Sequence, residues 1–112
     1  MRERIVSRDN SLIKLAVQLA SSRAARVENK LFVCDGPSLL PEALACGVDI
    51  TAVLCAEGLQ LPPLPADVRV AELPDRLMRA VSPTDTPQGL VFLCRRPGTV
   101  WPGFSARGNF YF

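Results

Sequence analysis

The sequence predicts one α/β domain, arranged as a three-layer α/β/α sandwich around a mostly four-stranded mixed sheet. Short apolar runs that suit strands alternate along the chain with segments whose apolar residues recur at helical spacing. The chain has 112 residues, of which 48% are hydrophobic and 21% are charged. This length and composition are typical of a single globular domain with one modest core.

The first predicted element is a helix that begins at Ser11 and ends near Ser22. Its leucines and alanines recur three and four residues apart, and Asp9 or Asn10 precedes it as an N-cap. The next element is a strand at residues 31–35, because the run LFVCD is short, apolar and rich in strand formers.

Glycine and proline mark the limits of the following helix. Gly36 and Pro37 turn the first strand into this helix, which ends at Gly47. Pro41 bends the start of the helix or delays it. The other predicted elements are strands at 50–56, 68–70 and 89–94 and a helix at 75–81. The strand at 50–56 is apolar nearly throughout, which indicates that both of its faces are covered.

Charge is distributed unevenly along the chain. Residues 1–30 carry seven Lys or Arg and three Asp or Glu, whereas residues 31–112 carry six and eight. A basic excess of this kind favours an anionic partner, and nucleic acid is the commonest one. Arg23 and Arg26 belong to the basic region, either at a frayed helix end or in a second short helix.

The composition excludes several kinds of active site. The chain has no histidine, which removes Ser-His-Asp and Cys-His nucleophile pairs, His-ligated zinc and an imidazole base. The four cysteines form no C-x-x-C pair. Cys34, Cys55 and Cys94 lie in apolar runs, so they are predicted to be buried free thiols. No catalytic residue and no metal are expected.

The sequence also carries no sign of a membrane or a secretory route. No apolar run approaches the roughly 20 residues of a membrane span. The residues after Met1 are charged and polar, unlike a secretory leader. We therefore expect no membrane partner and a cytoplasmic location.

Three segments together resemble the N-terminal substrate-binding domain of SpoU-type RNA ribose 2′-O-methyltransferases, the TrmH superfamily. Residues 5–14, IVSRDNSLIK, resemble the family opening I-x-S-x-x-N-P-x-I-K. Residues 31–37, LFVCDGP, follow an arginine pair and resemble the strand F-x-x-E-G. Residues 82–89, SPTDTPQG, resemble S-x-T-x-x-P-Q-G. The order and spacing of these segments make the resemblance specific over about residues 4–96.

The resemblance implies a fold and a division of labour. It implies the α/β/α fold of ribosomal and kink-turn-binding proteins for residues 1–96, with RNA as the ligand of this domain. Residues 97–112 are then a tail or the remnant of a linker. It further implies a separate knotted domain, absent here, that binds S-adenosylmethionine and methylates a ribose 2′-hydroxyl. This chain would then need no cofactor of its own.

The chain departs from the family pattern at three positions. Ser11 stands where the family usually has proline, and Asp35 replaces the usual glutamate. Ser38 stands where a basic or large polar residue is common, which would weaken contact with RNA at that helix start.

Cations that neutralise phosphates and small polar groups at strand ends are the expected RNA contacts. The predicted RNA-binding residues are Arg8, Asn10, Lys14, Arg23, Arg26, Asp35, Gly36 and Gln88. Each type of contact has a structural alternative. The cations could form a solvated helix face, Asn10 and Asp35 could cap helices, and Gln88 could satisfy the backbone of its own loop.

The function predicted from these residues is recognition of ribosomal or transfer RNA for a SpoU-like methyltransferase, with homodimerisation left to the full-length enzyme. The alternative is a protein-interaction or dimerisation module that uses the C-terminal tail. Five of the seven aromatic residues lie in that tail: Trp101, Phe104, Phe110, Tyr111 and Phe112. Salt-sensitive binding to RNA would favour the first function. Salt-insensitive self-association would favour the second.

Overall fold

A computed structural model describes residues 2–83, 88–95 and 110–111. In chain order the elements are β1 (Arg2–Arg4), α1 (Ser11–Ser21), α2 (Arg23–Asn29), β2 (Leu31–Asp35), α3 (Leu39–Ala45), β3 (Ile50–Ala56), β4 (Arg69–Leu73), α4 (Asp75–Val81), β5 (Leu90–Arg95) and β6 (Phe110–Tyr111). The predicted α/β class is confirmed.

The strands of the described residues belong to one mixed sheet in the order β1-β4-β3-β5-β2-β6. β1 pairs with β4 and β4 pairs with β3 in parallel, whereas β5 is antiparallel to both β3 and β2. The strands β1, β4, β3 and β2 therefore all point the same way. Their carboxyl ends, together with the start of β5, form one edge of the sheet, which we call the carboxyl edge.

Helices cover both faces of the sheet, as the sequence predicts. On one face α1 and α4 bury Ile13, Leu19 and Leu77 against inward residues of the central strands, and α2 packs beside them through Ala25. On the other face α3 packs over Phe92. Here the rest of the layer is an extended proline-rich segment, residues 57–68, whose leucines lie on the same core.

Side chains and backbone conformation set the limits of the first two helices. The side-chain oxygen of Asn10 accepts a hydrogen bond of 2.9 Å from the Leu12 amide, which confirms the predicted N-cap. Ser22 ends α1 and caps α2, because its hydroxyl accepts from the Ala25 amide at 3.1 Å. Lys30 ends α2 in the left-handed conformation, with φ of 57°. Arg23 and Arg26 thus lie in a second short helix.

The predicted number of four strands is wrong. β1 was missed because its three residues, RER, are all charged and show no apolar alternation. Its place at the sheet edge depends on pairing with β4, beside which Arg69 and Glu3 form an exposed ion pair of 2.7 Å. β6 has only two residues and pairs with β2.

Phe110 and Tyr111 are the part of the predicted tail, residues 97–112, that the structure describes. The rest of that tail and the loop residues 84–87 lie outside the described residues. The predicted domain limit at residue 96 stays a prediction. Within the described part of the chain, no helix is long and apolar enough to cross a membrane. The same part contains no group of three or more Cys, Asp or Glu that could hold a metal ion.

The cysteines are free, and three of them are buried, as predicted. Cys34 on β2 and Cys94 on β5 approach each other with 3.9 Å between their sulfur atoms. The contact with Cys94 and burial both raise the pKa of the Cys34 thiol well above its usual range. Cys46, just after α3, is exposed.

We expect Cys46 to react with iodoacetamide in the folded protein at least tenfold faster than the other three cysteines. Burial blocks access to Cys34, Cys55 and Cys94, and a raised pKa keeps Cys34 protonated. Peptide mass spectrometry after timed alkylation measures the four rates. Denaturation in urea should make them similar, and rapid labelling of Cys34 without urea would contradict the packing described.

Candidate functional site

Asp35, Gly36 and Gln88, three of the predicted site residues, come together at the carboxyl edge. Asp35 ends β2, and its side chain is buried, with 2% of its surface exposed. The Ser82 hydroxyl donates a hydrogen bond of 2.7 Å to the Asp35 carboxylate. This hydrogen bond connects the segment after α4 to the end of β2, two parts of the chain whose bonded residues lie 47 positions apart.

Gly36 lies directly beside Gln88. The Gly36 amide donates to the Leu90 carbonyl at 3.0 Å, which extends the pairing of β2 with β5. Its φ of 133° disfavours any residue with a Cβ. A Cβ at this position would lie 3.4 Å from the side-chain oxygen of Gln88, which is an ordinary van der Waals contact. The backbone conformation, and not the nearness of Gln88, therefore favours glycine here.

We call Asp35, Gly36 and Gln88 the Asp35–Gln88 junction. Its two polar side chains differ in what they can contact. The Gln88 side chain is exposed and carries both a donor and an acceptor, so it can hydrogen-bond a base edge or a 2′-hydroxyl. The Asp35 carboxylate is covered and holds Ser82 instead. The alternative prediction that Asp35 caps a helix is wrong, because Ser38 is the N-cap residue of α3.

Ser82 is a residue of the site that the sequence-based prediction missed. It occupies the first position of the quoted segment SPTDTPQG, whereas the prediction chose Gln88 from the same segment. The missing information was that the Ser82 hydroxyl reaches Asp35 across the sheet edge.

The predicted cations occupy a different part of the molecule from the Asp35–Gln88 junction. Arg8 precedes α1 near the carboxyl edge, and Lys14 is exposed on α1. Arg23 begins α2 and lies past the far end of α1, a helix whose 11 residues span about 16 Å. The predicted site residues therefore form no single cluster.

Arg26 has a structural contact that the sequence did not suggest. Its guanidinium is half-buried and donates a hydrogen bond to the Leu19 carbonyl in the last turn of α1. A cation at this position interacts favourably with the negative, carboxyl-terminal end of the α1 helix dipole. Arg26 thus connects α2 to α1, which leaves less of its guanidinium available to a ligand.

Unpaired positive charge is concentrated on one side of the molecule. Four arginines on other elements form ion pairs with acidic residues: Arg4 with Glu57, Arg69 with Glu3, Arg79 with Asp75, and Arg95 with Asp49. Among the described residues, the exposed cations without an ion pair include Arg8, Lys14, Arg23 and Lys30. We call these four residues the basic surface. Lys30 was not predicted, although it lies in the same basic region of the sequence.

Residues 2–83 and 88–95 contain no exposed aromatic side chain. Phe32 and Phe92 are both buried in the core. Stacking of unpaired bases on aromatic rings is therefore unavailable among these residues. The basic surface offers charge and hydrogen-bond donors instead, which suits phosphate groups.

The sequence profile of the family described as "MRM3-like substrate binding domain" matches residues 10–91. The chain belongs to this family. The match spans α1, α2, the Asp35–Gln88 junction and the first two residues of β5. It contains three of the four residues of the basic surface, since Arg8 precedes it. A comparison with curated proteins found no match.

Solved structures agree with this assignment of an MRM3-like substrate-binding domain. An RNA 2′-O ribose methyltransferase superposes with a TM-score of 0.68 and 26% identity, over 87% of this chain and 39% of the other. A Porphyromonas gingivalis protein assigned to the TrmH family of RNA methyltransferases gives 0.65 and 27%, over 79% and 35%. An rRNA methyltransferase from Sinorhizobium meliloti shares the fold at 0.68 and 19%, over 88% and 38%. The chain thus spans about two fifths of these proteins, and the resemblance to SpoU-type substrate-binding domains is confirmed.

In this substrate-binding domain, we expect Ser82→Ala to lower the free energy of unfolding by about 1–3 kcal/mol, because the buried Asp35 carboxylate loses a hydrogen bond. Urea unfolding measures the change. Ser21→Ala is the matched control, since the exposed Ser21 hydroxyl bonds only its own helix. We expect about 0.5 kcal/mol or less there. Equal losses in the two variants would contradict a special role for the Asp35–Ser82 bond.

The cap at Asn10 gives a second expectation for the domain. Asn10→Ala should lower the free energy of unfolding by about 1 kcal/mol, because the Leu12 amide loses its acceptor. Asn10→Ser should restore most of the loss, since serine also caps helices well. Thermal unfolding of the three proteins provides the measurement. A serine variant as unstable as the alanine variant would show that the amide side chain has another role.

Proposed function

We propose that this domain recognises the RNA substrate of a SpoU-like ribose 2′-O-methyltransferase. The observation that carries the proposal is the family match over residues 10–91, since that range contains Lys14, Arg23, Lys30 and the exposed Gln88 amide. Two solved structures that the chain resembles are assigned as RNA methyltransferases, which supports the same function.

The proposed recognition has two parts. Arg8, Lys14, Arg23 and Lys30 contact phosphates along α1 and α2, which positions the RNA without reading its sequence. Gln88 hydrogen-bonds a base edge or a 2′-hydroxyl at the carboxyl edge, where it lies beside Gly36. Shape and phosphate position therefore carry the recognition that we propose for residues 2–83 and 88–95.

The wider setting is also part of the proposal. We place the domain on ribosomal or transfer RNA in the cytoplasm, and we propose that its α/β/α fold is related to that of ribosomal and kink-turn-binding proteins. Methyl transfer from S-adenosylmethionine belongs to a separate knotted domain, and homodimerisation is left to the full-length enzyme. This chain supplies binding alone. The alternative function, a protein-interaction module built on the aromatic residues 101–112, is not favoured by the family match.

Replacing Lys14, Arg23 and Lys30 together by Ala should weaken binding to RNA at least tenfold at low salt, because three phosphate contacts are lost. The same change should reduce the slope of log K against log salt by about two to three. Fluorescence anisotropy with labelled transfer RNA and a ribosomal RNA fragment, at about 50 and 200 mM salt, measures both quantities.

The matched control replaces Arg4, Arg69 and Arg79 by Ala, which changes the net charge equally. These three arginines are exposed and ion-paired on other elements, where such pairs contribute at most about 1 kcal/mol each. We expect this control to bind RNA within about threefold of the wild type. Equal weakening in both variants would show that only net charge matters, and no binding at low salt would contradict the proposal.

A further inference from the structure

The face of the sheet opposite the basic surface carries two adjoining cavities. One, of about 370 Å³, lies between the end of α3 and the proline-rich segment, against Leu44, Val48, Ile50 and Val68. The other, of about 320 Å³, is lined by residues of the same segment, including Leu61 and Leu64, and by Val70. Pro65 and Val68 line both, so the cavities form one groove.

Charge on this side is opposite to that of the basic surface. From residue 31 to residue 68 the sequence has five acidic residues and no Lys or Arg. Asp49 and Asp67 line the larger cavity, and no cation among the described residues lines it. Arg95 pairs with Asp49, with 2.6 Å between the two charged groups, but the Asp49 side chain remains 54% exposed. Asp67 is exposed as well.

The chemistry of the larger cavity matches a long basic side chain. Its aliphatic walls can bury the methylene stem of a lysine or arginine, while the exposed Asp67 carboxylate meets the charged end. In the neighbouring cavity the side chains of Leu61 and Leu64 can contact an aliphatic side chain of the same ligand. A phosphate-bearing ligand would instead meet repulsion from Asp49 and Asp67.

The backbone of the outer wall of the groove is conformationally restricted. Pro62, Pro63 and Pro65 restrict the backbone of its outer wall, because proline fixes φ. A wall that is already rigid loses little conformational entropy when a ligand binds.

From these observations we propose that the groove binds a basic, aliphatic segment of a partner protein, with a lysine or arginine at Asp67 and an aliphatic residue beside Leu64. The domain would then hold RNA on one side and a basic polypeptide on the other, without competition between the two. This contact goes beyond RNA recognition and does not depend on it.

The test uses the whole chain and two blocked peptides, one alternating Leu and Lys and the other alternating Leu and Glu. Calorimetry should detect saturable binding of the lysine peptide alone. Nuclear magnetic resonance should place the shift changes at the methyl groups of Leu44, Val48 and Val68. Shift changes on α1 or α2 instead, or equal binding of both peptides, would overturn the proposal.

Asp67→Lys should weaken binding of the lysine peptide at least fivefold, since a repulsive charge replaces an attractive one at the groove. Glu28→Lys is the control, because it makes the same change in net charge on α2, on the other side of the sheet. It should leave peptide affinity unchanged within about twofold. Equal losses in the two variants would overturn the proposal.

Three further measurements distinguish a polypeptide in the groove from RNA binding, from a small polyamine and from a second copy of the chain. Asp67→Lys should bind RNA like the wild type, so failure of the RNA proposal would leave the groove result unchanged. Asp67→Asn repeats the test without charge reversal, should the lysine variant fold poorly.

Two results would show that the ligand is not a partner polypeptide. One is displacement of the peptide by equimolar spermidine, and the other is self-association of the chain that Asp67→Lys abolishes.

Discussion

The position of β5 in the middle of the sheet is the constraint on which the rest of the structure depends. It is antiparallel to β3 on one side and to β2 on the other, and five of its six residues are buried. Val91 and Leu93 belong to the core under α1 and α4, whereas Leu90 and Phe92 belong to the core under α3. Replacing a buried phenylalanine by alanine lowers the free energy of unfolding by about 3–5 kcal/mol. This is a large part of the total free energy of unfolding of a typical domain, about 5–15 kcal/mol.

The same strand fixes the geometry of the candidate site. Because β5 is antiparallel to its neighbours, its first residues meet the last residues of β2 and β3 at one edge. The Gly36 amide donates to the carbonyl of Leu90, the first residue of β5. The Ala56 amide donates to the carbonyl of Gly89, just before β5. Gln88 is brought beside Gly36 in this way. The Asp35–Ser82 bond then connects the preceding segment to the same junction.

The sheet also separates two kinds of surface. Helices α1 and α2 leave cations exposed on one side, while acidic residues and an apolar groove lie on the other. Opposite charges on opposite faces allow two ligands of opposite charge to bind without competing, and they orient the domain in the field of a polyanion. Among the described residues, Arg4, Arg69, Arg79 and Arg95 are ion-paired, which leaves the unpaired cations of the basic surface on the first side.

The sequence by itself determined the local elements whose stabilising interactions are local. Helical spacing and the Asn10 cap predict α1, and the apolar run at 50–56 predicts β3. The segment after Pro74 predicts α4 with its correct limits, Asp75–Val81. The motif at residues 82–89 predicts Gln88 as an RNA contact, and the excess of cations predicts Lys14 and Arg23; these three contacts stay predictions.

Only the tertiary structure decided what depends on partners distant in the chain. The charged strand β1 forms because β4 supplies its hydrogen bonds, and no periodicity in RER could show this. The contact of Ser82 with Asp35 and that of Arg26 with Leu19 join groups on different elements. Which cations remain unpaired depends on the acidic residues that folding brings near them. Burial and pairing are properties of the assembled sheet, and sequence spacing alone does not contain them.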